Sequence, residues 1–184
     1  MIETSRGYQF LDQGEDRRRA GQPDAARHCF AEAISVFHLD CDLAGEARAL
    51  TRQARLARDA GNLEWAQHDQ QAAIALLRKA GDGHALARAL RRAGDIFLAQ
   101  GDQERAAAAL AEAFVLYEAS PDAGTLEIAD AVRSVALLAE ALGEPEQALM
   151  MWQDARERYA QAREAGGNPG LTEADTHIAA LARH

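Results

Sequence analysis

LARALRRAGDIFLAQGDQERAAAALAEAFVLYEAS, residues 86–120, decides the fold. It is two helical runs joined at Gly101-Asp102, with small residues at the places where a packed neighbour needs them. Leu90, Gly94 and Phe97 punctuate the first run; Ala106, Leu110, Ala113 and Tyr117 punctuate the second. A glycine that follows a helical run and precedes a polar residue is placed to end the helix in the left-handed conformation.

The unit recurs once after this stretch and twice before it. Turn glycines stand at Gly21, Gly61, Gly101 and Gly143, so the spacing is 40, 40 and then 42 residues. In that register alanine falls at Ala26, Ala66, Ala106 and Ala148, and again at Ala33, Ala73, Ala113 and Ala155. Larger residues fill the slots between and beyond: Phe30, Gln70, Leu110 and Trp152, then Phe37, Leu77, Tyr117 and Tyr159. Upstream of the turns, Gly14, Ala54, Gly94 and Ala136 are small in every copy, while Phe10, Leu50, Leu90 and Val132 are large. Helix axes approach closely only where a side chain is missing or is a methyl, and larger neighbours then fill the adjoining holes. Pro23 and Pro145 follow their glycines by two residues, where a second helix begins and a missing N–H does no harm.

Composition agrees. Aromatic residues make up 5% of the 184, and Ala, Leu, Arg, Glu and Gln are abundant, so an all-α chain is expected. The repeat spacing and its breaks predict helices over about 3–20, 24–39, 43–60, 63–80, 84–100, 103–119, 125–142, 145–165 and 172–183. The breaks are Gly81-Asp82-Gly83, the residues from Ser120 through Pro121 to Gly124, and Gly166-Gly167-Asn168-Pro169-Gly170. Thr172 to Asp175 reads as a capping box opening the last helix.

A formal charge of −9 argues against general affinity for nucleic acid or anionic membrane. Neither a signal peptide nor a membrane-spanning run is expected. Cys29 and Cys41 read as reduced thiols, and a cytoplasmic location is the expectation.

The register resembles that of the tetratricopeptide (TPR) family, whose pattern wants an aromatic, then Leu-Gly, then an aromatic in the first helix and Ala-x-x-x-Phe in the second. The third copy offers Leu90, Ala93-Gly94 and Phe97, then Ala106 and Leu110; the first offers Phe10, Gln13-Gly14 and Arg17, then Ala26 and Phe30. The longer period resembles kinesin-light-chain-like and bacterial TPR repeats. Gln70 stands where an aromatic is expected, and Gln13 and Gln53 stand for Leu, which predicts looser packing in the first half. The resemblance implies a right-handed α-solenoid forming one domain over 1–184. Its hairpins would span about 7–40, 47–80, 87–120 and 129–162, with a capping helix over about 172–183.

In that family the first helix of each pair lines the concave surface, and arginines concentrate on those helices here. Arg48, Arg52 and Arg55 share one helix face, opposite the packing face of Leu50, Ala54 and Ala57. Arg88, Arg91 and Arg92 stand on the next first helix and Arg133 on the last. Like charges one turn apart disfavour a helix by about 0.2–0.5 kcal/mol a pair, a cost that an anionic partner would offset. Guanidinium also grips carboxylate with two hydrogen bonds. The expectation is therefore a groove lined by these seven arginines that binds an acidic peptide or protein segment. The competing reading pairs them off with Asp12, Glu15, Asp16, Asp59, Asp95, Asp130 and Glu140, as a ladder worth little per pair. A clamp for a C-terminal carboxylate, known in some family members, is not expected, because Leu11 and Glu15 occupy two of its slots.

Nothing in the sequence suggests catalysis, a cofactor or a metal site: no phosphate-binding loop, nucleophile elbow or paired-His motif is present. In His38-Leu39-Asp40-Cys41-Asp42, a helix N-cap explains the aspartates better than metal ligation does. Trp65 and Trp152 both read as core anchors, and His28 and His68 as outward-facing. The expected function is a non-enzymatic protein-interaction module. The alternatives are a regulatory peptide or effector sensor and a homodimerising scaffold.

Overall fold

The computed structural model describes residues 6–120, 123–162 and 168–183. Among these residues the secondary structure is helical throughout, in nine helices: α1 Arg6–Arg19, α2 Pro23–Leu39, α3 Leu43–Asp59, α4 Leu63–Ala80, α5 Gly83–Ala99, α6 Gln103–Glu118, α7 Thr125–Leu142, α8 Pro145–Gln161 and α9 Pro169–Leu181. Two compact units are present, Met1–Ala89 and Leu90–His184, and the division falls inside α5.

The turns form as the glycine register predicts. Gly21, Gly61, Gly101 and Gly143 take φ between 69° and 77°, where an L side chain is disfavoured. At the first, the Gly21 N–H donates to Arg18 O at 3.0 Å and the Gln22 N–H to Arg17 O at 2.9 Å. That pair of reversed bonds closes the helix end in a Schellman turn. The polar residue after each glycine then starts the next helix in one of two ways. Asn62 and Asp102 accept the N–H of Trp65 and Arg105 at 3.2 and 2.9 Å. Gln22 and Glu144 make no such bond, and Pro23 and Pro145 follow them at the first helical position.

In Met1–Ala89, α1 packs on α2, α2 on α3 and α3 on α4. Leu11, Ala26, Phe30, Ala33, Phe37, Ala49 and Leu56 form its first core cluster, with Tyr8, Phe10 and Ile34 against it. The small column works as the register predicts: a Cβ on Gly14 would run into the Phe30 ring, and one on Gly7 would lie 2.7 Å from Phe37. Gln70 is 1% exposed and donates from Nε2 to Ala89 O at 2.9 Å, so its amide is satisfied within the core.

In Leu90–His184, Gly94 lets Leu110 approach, and a Cβ there would lie 2.8 Å from Leu110 Cγ. Trp152 is fully buried beside Ala136, Ala139, Ala148 and Ala174, and Tyr159 beside Ala129, Val132 and Ala155. Ile178 and Leu181 of α9 pack on the Trp152 cluster.

Two expectations need correction. The last helix begins at Pro169, not at Thr172. Asn168 caps it by accepting the Gly170 N–H at 3.0 Å, so the Asn-Pro pair read as a break is the start signal itself. Trp65 is not a core residue: it is 59% exposed, on the first turn of α4. Pro121 and the Gly166-Gly167 part of the last break lie outside the described residues. No helix among the described residues is long and apolar enough to cross a membrane.

Candidate functional site

The first-helix arginines fall into two different settings. In Met1–Ala89, α3 presents Arg48, Arg52 and Arg55 beside α1. The Arg48 guanidinium lies 5.5 Å from the centre of the Tyr8 ring. Arg52 reaches Glu15 at 3.6 Å and Arg55 reaches Asp59 at 3.8 Å, with both side chains more than 40% exposed. Arg18 holds Glu15 more tightly, at 2.7 and 3.1 Å through two nitrogens.

Glu15 therefore serves several cations at once. The Arg18 hydrogen bonds hold its carboxyl below the ordinary value of 4.5, burial opposes this, and the charges of Arg52, Arg18 and Arg55 assist. The consequence for Arg55 has the opposite sign. Burial lowers its pKa and Arg18 lowers it further by repulsion, more than Asp59 and Glu15 restore. On this face Arg18, Arg19 and Arg52 share the Glu15 carboxylate, and Arg55 and Arg58 share that of Asp59.

In Leu90–His184 the arginines are tied down. Arg91 bonds Asp95 at 2.9 Å and lies 3.9 Å from Asp130, with its side chain 12% exposed. Arg133 grips Glu173 of α9 with two nitrogens, each at 2.7 Å, and lies 3.9 Å from Asp95. Burial works against the Arg133 charge, but the Glu173 bonds and the Asp95 and Glu173 charges outweigh it and raise the pKa. Asp95 also accepts a 2.7 Å hydrogen bond from Ser134. Arg88 and Arg92 are half-buried and engaged in interactions of their own.

The remaining acids serve other ends. Glu140 accepts from Trp152 Nε1 at 2.6 Å and lies 2.8 Å from His177 Nδ1, while the two rings stack with centroids 4.3 Å apart. Asp42 caps α3 by accepting the Gly45 N–H at 2.8 Å. Asp130 accepts the Tyr159 hydroxyl at 2.8 Å, and burial followed by the Asp130 charge pushes the Tyr159 pKa up.

A feature that sequence reasoning missed lies in Met1–Ala89. A cavity of about 410 Å³ opens at the start of α4, lined by Gln53, Glu64, Trp65, His68 and Asp69. The missed signal was in the register itself: Trp65 shares its position with Ala25, Arg105 and Gln147, and the last two are polar.

With this geometry in hand, comparison with known proteins places the fold. No family model and no curated protein matches the sequence. Solved structures do match. BtubC (BKLC) from P. vanneervenii superposes with a TM-score of 0.80 over 96% of this chain and 71% of its own, at 17% identity. A kinesin light chain candidate from Podosopora anserina, with nearly identical TPR-like repeats, gives a TM-score of 0.74 over 100% and 88%, at 12% identity. MamA gives 0.61 over 86% and 81%, at 18% identity. The fold is that of a TPR-like helical-repeat protein, all-α and built of stacked hairpins.

Proposed function

We propose that the chain is a non-enzymatic protein-interaction module, and that the face shared by α1 and α3 receives an acidic peptide segment. One observation carries the reading: Arg18, Arg19 and Arg52 share the single carboxylate of Glu15, and Arg55 and Arg58 share that of Asp59, so guanidinium groups outnumber the carboxylates they pair with. An acidic side chain arriving there gains charge-assisted bonds and relieves the repulsion between Arg18 and Arg55. Arg48 beside Tyr8 extends the same face. Arg91 and Arg133, closed by their own carboxylates, serve cohesion in this reading rather than recognition. The fold likeness supports the class of function, since stacked hairpins offer extended surfaces for partners. A cytoplasmic setting and one domain made of the four hairpins complete the proposal.

The test is titration of a Glu-rich peptide into the native chain and into an Arg52→Glu, Arg55→Glu variant at low salt. Both side chains are exposed enough to be changed without loss of the fold, which circular dichroism would check. The variant should bind at least about tenfold more weakly, equivalent to about 1.4 kcal/mol. The native affinity should also fall as salt rises. Equal affinity for both proteins would overturn the acidic-segment reading.

A further inference from the structure

The cavity at the start of α4 gathers residues that the repeat does not require. Where other copies place Cys29, Ala109 and Met151, this one places Asp69, an acid only 7% exposed. Gln53 donates from Nε2 to Asp69 Oδ2 at 3.0 Å, and His68 Nδ1 lies 3.1 Å from Asp69 Oδ1. Gln53 Oε1 is buried and has no hydrogen-bond partner among the described residues. Trp65 lies on the border of the cavity at 59% exposure, and the exposed Glu64 adds a second carboxylate. A buried carboxylate, an unmatched amide oxygen and an open indole are each unfavourable or idle in the isolated molecule. One kind of ligand satisfies all three.

We propose that this cavity binds a cationic side chain, an arginine or lysine of a partner peptide. Its volume of about 410 Å³ lies within the span of small-ligand sites, roughly 300–1,000 Å³. The cation lies against the face of the Trp65 indole, an attraction that strengthens as water is excluded. Glu64 and Asp69 supply the opposite charge, and Gln53 Oε1 accepts an N–H donor once the side chain enters. The site is separate from the arginine face and does not rest on the acidic-segment reading. Its chemistry is the opposite.

The experiment uses the indole N–H signal of Trp65 in the full chain, assigned by its loss in Trp65→Phe. Trp152, buried and bonded to Glu140, gives an internal control signal. Capped tripeptides Gly-Arg-Gly, Gly-Leu-Gly and Gly-Glu-Gly are titrated in turn. The arginine peptide should shift the Trp65 signal with saturation and leave Trp152 in place, while the other two peptides leave both unmoved. Glu64→Gln should weaken that binding at least about threefold, and Glu64→Gln with Asp69→Asn by more. Glu64 is exposed, so its single variant remains informative even if the double variant unfolds. The proposal is overturned if the leucine peptide shifts Trp65 as strongly as the arginine peptide. It is equally overturned if no peptide moves the signal, or if Glu64→Gln binds unchanged.

Discussion

Cys41 holds a left-handed conformation, φ 55°, at the place where Gly81 stands one repeat later with φ 71°. Its N–H still donates to His38 O, and that of Asp42 to Phe37 O, so the turn is intact but strained at Cys41, the one non-glycine with positive φ among the described residues. Cys41→Gly should raise stability by about 0.5–1 kcal/mol, the relief of strain exceeding the greater freedom of glycine when unfolded; denaturant midpoints would measure it. Gly94→Leu should do the reverse. A larger side chain against buried Leu110 overpacks the α5–α6 contact and should cost about 1–3 kcal/mol by the same assay. Glu15 makes a pH prediction. Its folded pKa is depressed, so its contribution is present above the unfolded value and lost as pH falls through the folded one. Native protein should therefore lose stability below about pH 4.5 more steeply than Glu15→Gln does.

Helices were the most legible level. Turn glycines followed by a capping residue or a first-turn proline mark the turn inside each hairpin, because a cap satisfies a backbone N–H locally and proline has none to satisfy. The start of α9 was misread because Asn168-Pro169 serves equally as a breaker or as a helix start, and only the Gly170 N–H bond decides between them. Trp65 was misread because size alone suggested burial, although the polar Arg105 and Gln147 in its register position pointed outward. The Arg133–Glu173 pair was hidden because its partners lie on helices two apart, and no local pattern links them. It makes α9 a testable element. Glu173→Gln should remove a charge-assisted bidentate contact worth about 1.5–3 kcal/mol. Amide exchange in α9 should quicken while α8 keeps its protection. Uniform change across both helices would show that α9 is not held by this contact.

At the scale of the molecule, helical repeats couple mainly to their nearest neighbours, so cooperativity along such a chain depends on each junction. If the four hairpins form one domain, denaturation followed by Trp152 fluorescence in Trp65→Phe should coincide with that followed by circular dichroism. Separate midpoints would make Met1–Ala89 and Leu90–His184 independent folding units. The small-and-large register made the fold legible because every copy must solve the same packing problem. The site was only partly legible: seven arginines look alike in sequence, and only three-dimensional neighbours separate Arg52 and Arg55 from Arg91 and Arg133. The central claim is that the α1–α3 arginine face is where the partner binds. The most direct measurement follows the arginine Nε–H resonances while a Glu-rich peptide is titrated into the full chain. Arg48, Arg52 and Arg55 should shift together and saturate, with Arg91 and Arg133 unmoved; shifts confined to Arg91 and Arg133, or none at all, would contradict it.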